Sequence, residues 1–316
     1  MREAQSAGDG VRELEAEAAV VACATDCGLP EETRRSLVRC AELATRLGDL
    51  SALSRTLAAQ AVAALDRGDA HEAEPLALEL LATSARVGDI GGQARALRAL
   101  AKAQELLGRE AEAHRALQRA LVLADPNVPE APAEADAART LLALGRLALR
   151  QPDLALAATT LEEARVVAPR SGDEVHLAAL ISAELARVAM ARGAIDEARQ
   201  HAAAATSAQR AHRCRRCAAE IGPALVETAI AANDLPGADA ARSVSLEAAY
   251  RLNLPIAIAA MRLAAGRLLA VRGDATGAAT EYGAALVTFE RLGPRHLVAE
   301  TRAALVETAA ARPESA

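Results

Sequence analysis

Tryptophan is absent from this sequence, and one phenylalanine and two tyrosines are its only aromatics. Any core must therefore be filled by aliphatic side chains. With 52% of 316 residues apolar, there are enough of them for a sizeable one. They are mostly Ala, Leu and Val. Ala and Leu are strong helix formers and β-branched runs are scarce, so composition points to an all-α protein. Lysine is nearly absent too: Lys102 stands alone, and the other cations are arginines. The net charge of −6 speaks against a general nucleic-acid binder, whose surface is normally basic. No run of about 18 apolar residues exists, which excludes a membrane-spanning helix. "MREAQSAGDGVRELEAEAA" has no apolar segment behind a basic start, so no secretion signal is read. Five cysteines, an odd number, suit a reducing cytosol better than a disulfide scaffold. The expected location is cytoplasmic.

What is present is a period. Helix-stopping residues recur as Gly28, Gly68, Gly108, Pro152, Gly193, Asn233 and Gly273, spaced 40 to 44 residues apart. A second series lies halfway between them: Gly48, Gly88, Asn127, Gly172, His212, Asn253 and Gly293. Glycine just past a helix end takes the left-handed conformation without a Cβ penalty, and Asn is the next best choice. Each interval between stops reads as one amphipathic helix of about 18 residues. The chain is then about seven helical hairpins and a last helix near 295–311. Gly222-Pro223 falls inside one of these helices and is expected to kink or restart it, since proline lacks the N–H and clashes with the preceding turn.

Small residues keep step with the first series. Five positions past it stand Ala73, Ala113, Ala157, Ala198, Ala238 and Ala278. Twelve past it stand Ala120, Ala164, Ala205, Ser245 and Ala285, with Leu80 the exception. Seven before it stand Ala61, Ala101, Gly145, Ala186 and Gly266, with Val226 the exception. Positions seven apart share a helix face, so these columns let paired helices approach closely.

These columns resemble the tetratricopeptide repeat. "LGRLALRQPDLALA" (Leu144 to Ala157) carries the Leu-Gly of that family's first helix, and Tyr282 matches the aromatic slot of its second. The unit here is longer than the usual 34 residues. A period near 40 also suits HEAT-type solenoids, but the small-residue columns favour a lengthened tetratricopeptide-like unit. The resemblance implies a right-handed superhelical solenoid of about seven hairpins with a C-terminal capping helix. The expected organisation is a flexible N-terminus at 1–10, one solenoid over 11–311 and a flexible tail at 312–316. "DPNVPEAPAEA", about 125–135, is read as an enlarged loop inside the solenoid.

A narrower resemblance is to the helical-repeat region of large actinobacterial LuxR-type ATP-binding regulators. It is carried by "CRRCAAEIGPALVETAIAANDLPGADAA" and "AAGRLLAVRGDATGAATEYGAALVTFERLGPRHLVAETRAAL". Their ATPase module needs Gly-Lys-[Ser/Thr], and the one lysine here sits in "RALAKAQ". No DNA-binding module is expected after "AAARPESA". The resemblance therefore implies a partner-binding or sensor arm in transcriptional regulation. It has no direct contact with nucleic acid and no membrane partner.

Hydrolase signatures such as His-Glu-x-x-His and Gly-x-Ser-x-Gly are missing, so no enzyme is expected. "HRCRRC" offers Cys214 and Cys217, with His212 adjacent and His201 upstream, as a candidate metal set. A structural zinc usually takes four ligands, and Cys23, Cys27 and Cys40 lie several repeats away. A redox pair is also open, because Arg213, Arg215, Arg216 and a helix N-terminus would stabilise a thiolate. Packing of two small side chains at a repeat junction is the expectation, with no metal and no cofactor.

The resemblance places exposed groove slots on the first helix of each hairpin. Those slots hold Arg55, Arg95, Arg98, Lys102, Arg139, Arg146, Arg150, Arg187 and Arg267 against Asp66, Glu105, Glu220 and Glu227. The excess of cations on an acidic chain points to a basic concave groove. Arg95, Arg98, Lys102, Arg139, Arg146 and Arg187 are its candidate binding residues, for an acidic peptide or helix of a partner protein. A small anionic ligand or nucleotide in the same groove is the alternative.

Overall fold

The structure is a computed structural model that describes residues 2–26, 29–124, 134–151, 153–168 and 174–310. Among the described residues there are fifteen α-helices and no strand. They are α1 (Arg2–Asp26), α2 (Pro30–Leu47), α3 (Leu50–Arg67), α4 (Ala70–Val87), α5 (Ile90–Leu106), α6 (Glu110–Leu123), α7 (Glu134–Ala148) and α8 (Leu154–Val167). Then follow α9 (Glu174–Ala191), α10 (Ile195–His212), α11 (Arg215–Ala231), α12 (Leu235–Arg251), α13 (Pro255–Val271), α14 (Ala275–Leu292) and α15 (Arg295–Ala310). Seven hairpins and a final helix are the expected arrangement. Residues 2–10, expected as a flexible lead-in, belong to α1.

The chain forms two compact units, Met1–Glu105 with Ala111–Pro132, and Leu106–Glu110 with Ala133–Ala316. In the first, α1 packs on α2, α2 on α3 and α3 on α4. In the second, hairpin partners pack together, and the first helices α7, α9, α11, α13 and α15 contact one another in succession. That is the stacking of an α-solenoid.

The turns follow the glycine series. Gly68, Gly108, Gly193 and Gly273 take φ between 73° and 81°, and Gly48, Gly88 and Gly293 of the second series take φ of 69°, 72° and 89°. Asn233 and Asn253 fill the same role. The stop expected at His212 falls on Arg213 instead, at φ 48°. Gly28, Asn127, Pro152 and Gly172 lie outside the described residues, as does most of the Pro-rich segment at 125–135. Aspartate follows many of these turns. Asp49, Asp69, Asp89, Asp153, Asp234 and Asp274 each accept a hydrogen bond from the backbone N–H three residues on. Each one satisfies a donor that the helix start leaves unpaired.

All six alanines of the first column have no exposed surface. Ala120, Ala164, Ala205 and Ala285 of the second column are likewise fully buried. Where the third column carries glycine, the partner helix carries bulk. A Cβ on Gly145 would lie 2.6 Å from Leu161 Cδ2, and one on Gly266 would overlap the Tyr282 ring. Tyr282 in turn packs with Ala259, Leu263, Ala278, Ala285 and Phe289 into one core cluster of α13 and α14. Tyr282 is thus placed where a glycine makes room, whereas Tyr250 is exposed.

The restart expected at Gly222-Pro223 as the alternative to a kink does not occur, since α11 runs unbroken from Arg215 to Ala231. Ile221, Gly222, Pro223 and Ala224 are all buried, and this packing outweighs the roughly 3 kcal/mol that an interior proline costs. Gly222 itself lies against Ser245 and Met261, so close packing explains it.

Ala198 lies in the first column and is fully buried. Ala198→Leu should lower stability by about 1–3 kcal/mol, the usual cost of overpacking. Thermal unfolding followed by circular dichroism tests this, and an unchanged midpoint would remove Ala198 from the helix contact.

Candidate functional site

The first helices of the second unit carry linked ion pairs. Arg146 on α7 donates through Nε to Glu184 Oε1 on α9 at 2.8 Å and stands 3.7 Å from Glu220 on α11. Arg187, one turn along α9, lies 3.6 Å from Glu184 and 3.8 Å from Glu227 on α11. Arg267 on α13 then bonds both Glu227 and Glu300 on α15. Glu184 is 8% exposed, whereas its partners Arg146 and Arg187 are 31% and 39% exposed. Glu227 is likewise deeper than Arg267, but Glu300 is more exposed than Arg267. Burial alone would push Glu184 up, but Arg146 and Arg187 hold its carboxyl below the usual range. Burial likewise opposes charge on Arg146, and Glu184 and Glu220 outweigh it.

The first unit holds a similar pair. Lys102, 48% exposed, reaches Glu105 at 3.3 Å, and Glu105 is only 7% exposed. Arg95 lies on the same helix, 3.6 Å from Asp89. Arg98 is on that helix too. Arg139, on α7 of the second unit, stands 3.9 Å from Asp136. The six candidate binding residues are thus divided, with Arg95, Arg98 and Lys102 in the first unit and Arg139, Arg146 and Arg187 in the second. The slot count overlooked Glu184 and Glu300, the acids that neutralise much of the second unit's excess of cations.

A second cluster sits where α9 and α11 begin. His176 Nδ1, in the first turn of α9, lies 2.8 Å from Cys217 Sγ and 3.4 Å from Cys214 Sγ. The three donor atoms all fall within 4.8 Å of one another. Cys214 is the N-cap of α11, and its sulfur accepts the Cys217 N–H at 3.1 Å. Burial, and then Cys214 beside it, push the Cys217 thiol well up. The histidine differs from those expected. His201 pairs with Glu197 on its own helix at 3.7 Å, away from the cysteines, and the side chain of His212 is outside the described set. His176 was missed because it lies 38 and 41 residues from the two cysteines.

A cleft of about 810 Å³ is lined by residues of α10, α11 and α12. Ile221 and Leu225 line its floor, with Arg199, Gln209 and Arg210 on α10. Among the described residues, no helix is long and apolar enough to cross a membrane.

No family model matches the sequence, and no curated protein matches it. Solved structures do. A STAND protein with a tetratricopeptide repeat sensor, from Pyrococcus horikoshii, is 12% identical at a TM-score of 0.57; the match covers 94% of this chain and 44% of that one. A Rap protein complexed with Competence and Sporulation Factor is 10% identical at a TM-score of 0.58, covering 96% and 98%. The fold is tetratricopeptide-like. At these identities the likeness is one of fold.

Glu184 yields a pH prediction. Its folded-state value is lowered, so its contribution to stability is complete above the ordinary 4.5 and is lost as pH falls through the lowered value. As pH falls below 4.5, the melting temperature of the wild type should therefore drop more steeply than that of Glu184→Gln. At pH 7 the variant should already be less stable by about 1–3 kcal/mol, since two arginines lose a buried partner. Parallel acid limbs would show that Glu184 is not the group responsible.

Proposed function

We propose that this chain is a non-enzymatic protein-interaction module, the partner-binding or sensor arm of a bacterial regulatory system. It takes an acidic peptide or helix on the faces of its first helices. One observation carries the reading: Lys102, Arg146, Arg187 and Arg267 are each more exposed than the carboxylates Glu105, Glu184 and Glu227 that they pair with. A guanidinium has five donors, more than the two carboxylates that each of Arg146, Arg187 and Arg267 meets can take up in single contacts. The inner acids hold the forks in place, so a partner carboxylate meets preordered donors. Two similar folds support the choice of class, one belonging to a tetratricopeptide repeat sensor and one to a Rap protein complexed with Competence and Sporulation Factor. The resemblance of its sequence to the repeat region of LuxR-type regulators is what supports the further part of this proposal, a role in transcriptional control in the cytoplasm that acts through a protein and not on nucleic acid directly.

A labelled polyglutamate peptide provides the test. Its binding should weaken steeply from 0.1 to 1 M salt, as the screening length falls from about 10 to about 3 Å. Arg95→Gln with Lys102→Gln probes the first unit, and Arg187→Gln probes the second. Each exposed contact contributes about 0.5 kcal/mol, so the double variant should bind about fivefold more weakly with its melting temperature little changed. Binding unaffected by both sets of substitutions would sink the proposal. If phosphate or a nucleotide alone raises the melting temperature while the peptide does not bind, the small-anion reading takes its place.

A further inference from the structure

We infer that His176, Cys214 and Cys217 form a zinc(II) site that joins two successive hairpins of the second unit. Two sulfurs and one imidazole nitrogen form the borderline-soft donor set that zinc selects over the harder divalent ions. They come from two different helices, α9 and α11, which pack side by side. A tetrahedral zinc with bonds of about 2.3 Å to sulfur and 2.0–2.1 Å to nitrogen holds S and N about 3.6 Å apart. Nδ1 here stands 2.8 and 3.4 Å from the two sulfurs, so the donors need move apart by less than about 1 Å. The fourth position is left for water or a group brought by a partner, since Cys214 and His176 are only half-buried.

A separate observation concerns the turn that presents the cysteines. At the other positive-φ turns among the described residues, glycine or asparagine takes the left-handed position. Here Arg213 takes it, a residue type for which that conformation is unfavourable. Aspartate is the capping residue at six other helices, accepting the N–H three residues on. At α11 the sulfur of Cys214 accepts that bond instead. A neutral thiol is a weak acceptor, so the substitution loses a cap if the cysteine only packs. Leu29, Ala194 and Leu254 begin α2, α10 and α13 with no side-chain cap bond, so an aspartate is not universal in this slot. At α11 a zinc-bound thiolate is anionic, and the metal gives Cys214 the strength of acceptor that aspartate has at the six other helices. Bound there, it fixes α9 against α11 and with it the angle between the α9–α10 and α11–α12 hairpins. The sequence alone had favoured a cluster without metal and with other histidines.

The full-length chain, untagged and kept reduced, is dialysed against zinc chloride, freed of excess metal and analysed for zinc. About one zinc per chain is expected. Cobalt(II) in its place should give sulfur-to-cobalt charge-transfer absorption in the near ultraviolet, a readout that requires no variant. His176→Ala and Cys217→Ser should each weaken zinc binding by at least about 100-fold, more than loss of an outer-shell partner typically costs. Cys40→Ser should leave it unchanged. The inference fails if the reduced wild type retains no zinc and shows no cobalt–sulfur band. It fails equally if zinc binds undiminished to a Cys214→Ser/Cys217→Ser double variant.

Discussion

Close approach of helices at small side chains is the constraint on which the rest of this structure depends. A core without tryptophan cannot be filled by a few large anchors. It is filled by many shallow contacts, with alanine or glycine on one helix and leucine, methionine or tyrosine on the next. Each contact is weak, but dispersion over many of them is large. Alanine also loses no side-chain entropy in forming the helix. The same residues therefore favour the helix and set its distance from the next one.

Fixed spacing has a chemical consequence. Once the first helices stack at a constant repeat, residues about 40 positions apart come to lie side by side. Arg146 meets Glu184 at a separation of 38, Arg267 meets Glu227 at 40, and His176 meets Cys214 and Cys217 at 38 and 41. Thr228 donates to Met190 Sδ at the same interval. The ion pairs and the thiol–imidazole cluster are two uses of one geometry, in which facing slots of adjacent repeats carry complementary groups. Neither requires a loop of unusual shape.

This geometry also decides what could be read from the chain in advance. Helix number, turn positions and buried columns were legible because each is local: a glycine in the left-handed region, an aspartate one residue later, an alanine one turn inside the helix. The arginines were legible as residues on one face but not as ion pairs. Glu184 lies outside the slots assigned to the groove, and its partner Arg146 is a full repeat upstream. His176 was invisible for the same reason. A motif search looks along the chain for nearby ligands, and His212 and His201 were nearer to the cysteines. The signal that would have found both was present in the period itself: pairing each residue with the one about 40 positions on would have set His176 beside the Cys-x-x-Cys pair and Arg146 beside Glu184. Pro223 illustrates the opposite failure, a strong local signal overruled by burial on every side.

The claim that matched bulk and void set the helix spacing can be tested at one contact. Gly266 and Tyr282 face each other across α13 and α14 with no room for an added methyl group. A double-mutant cycle between Gly266→Ala and Tyr282→Leu, read by chemical denaturation, isolates their coupling. The account predicts that each single change destabilises and that the pair together loses less than the sum, by at least about 0.5–1 kcal/mol, because the smaller side chain admits the new Cβ. Strict additivity would contradict it, since the two positions would then not share the space on which the packing depends.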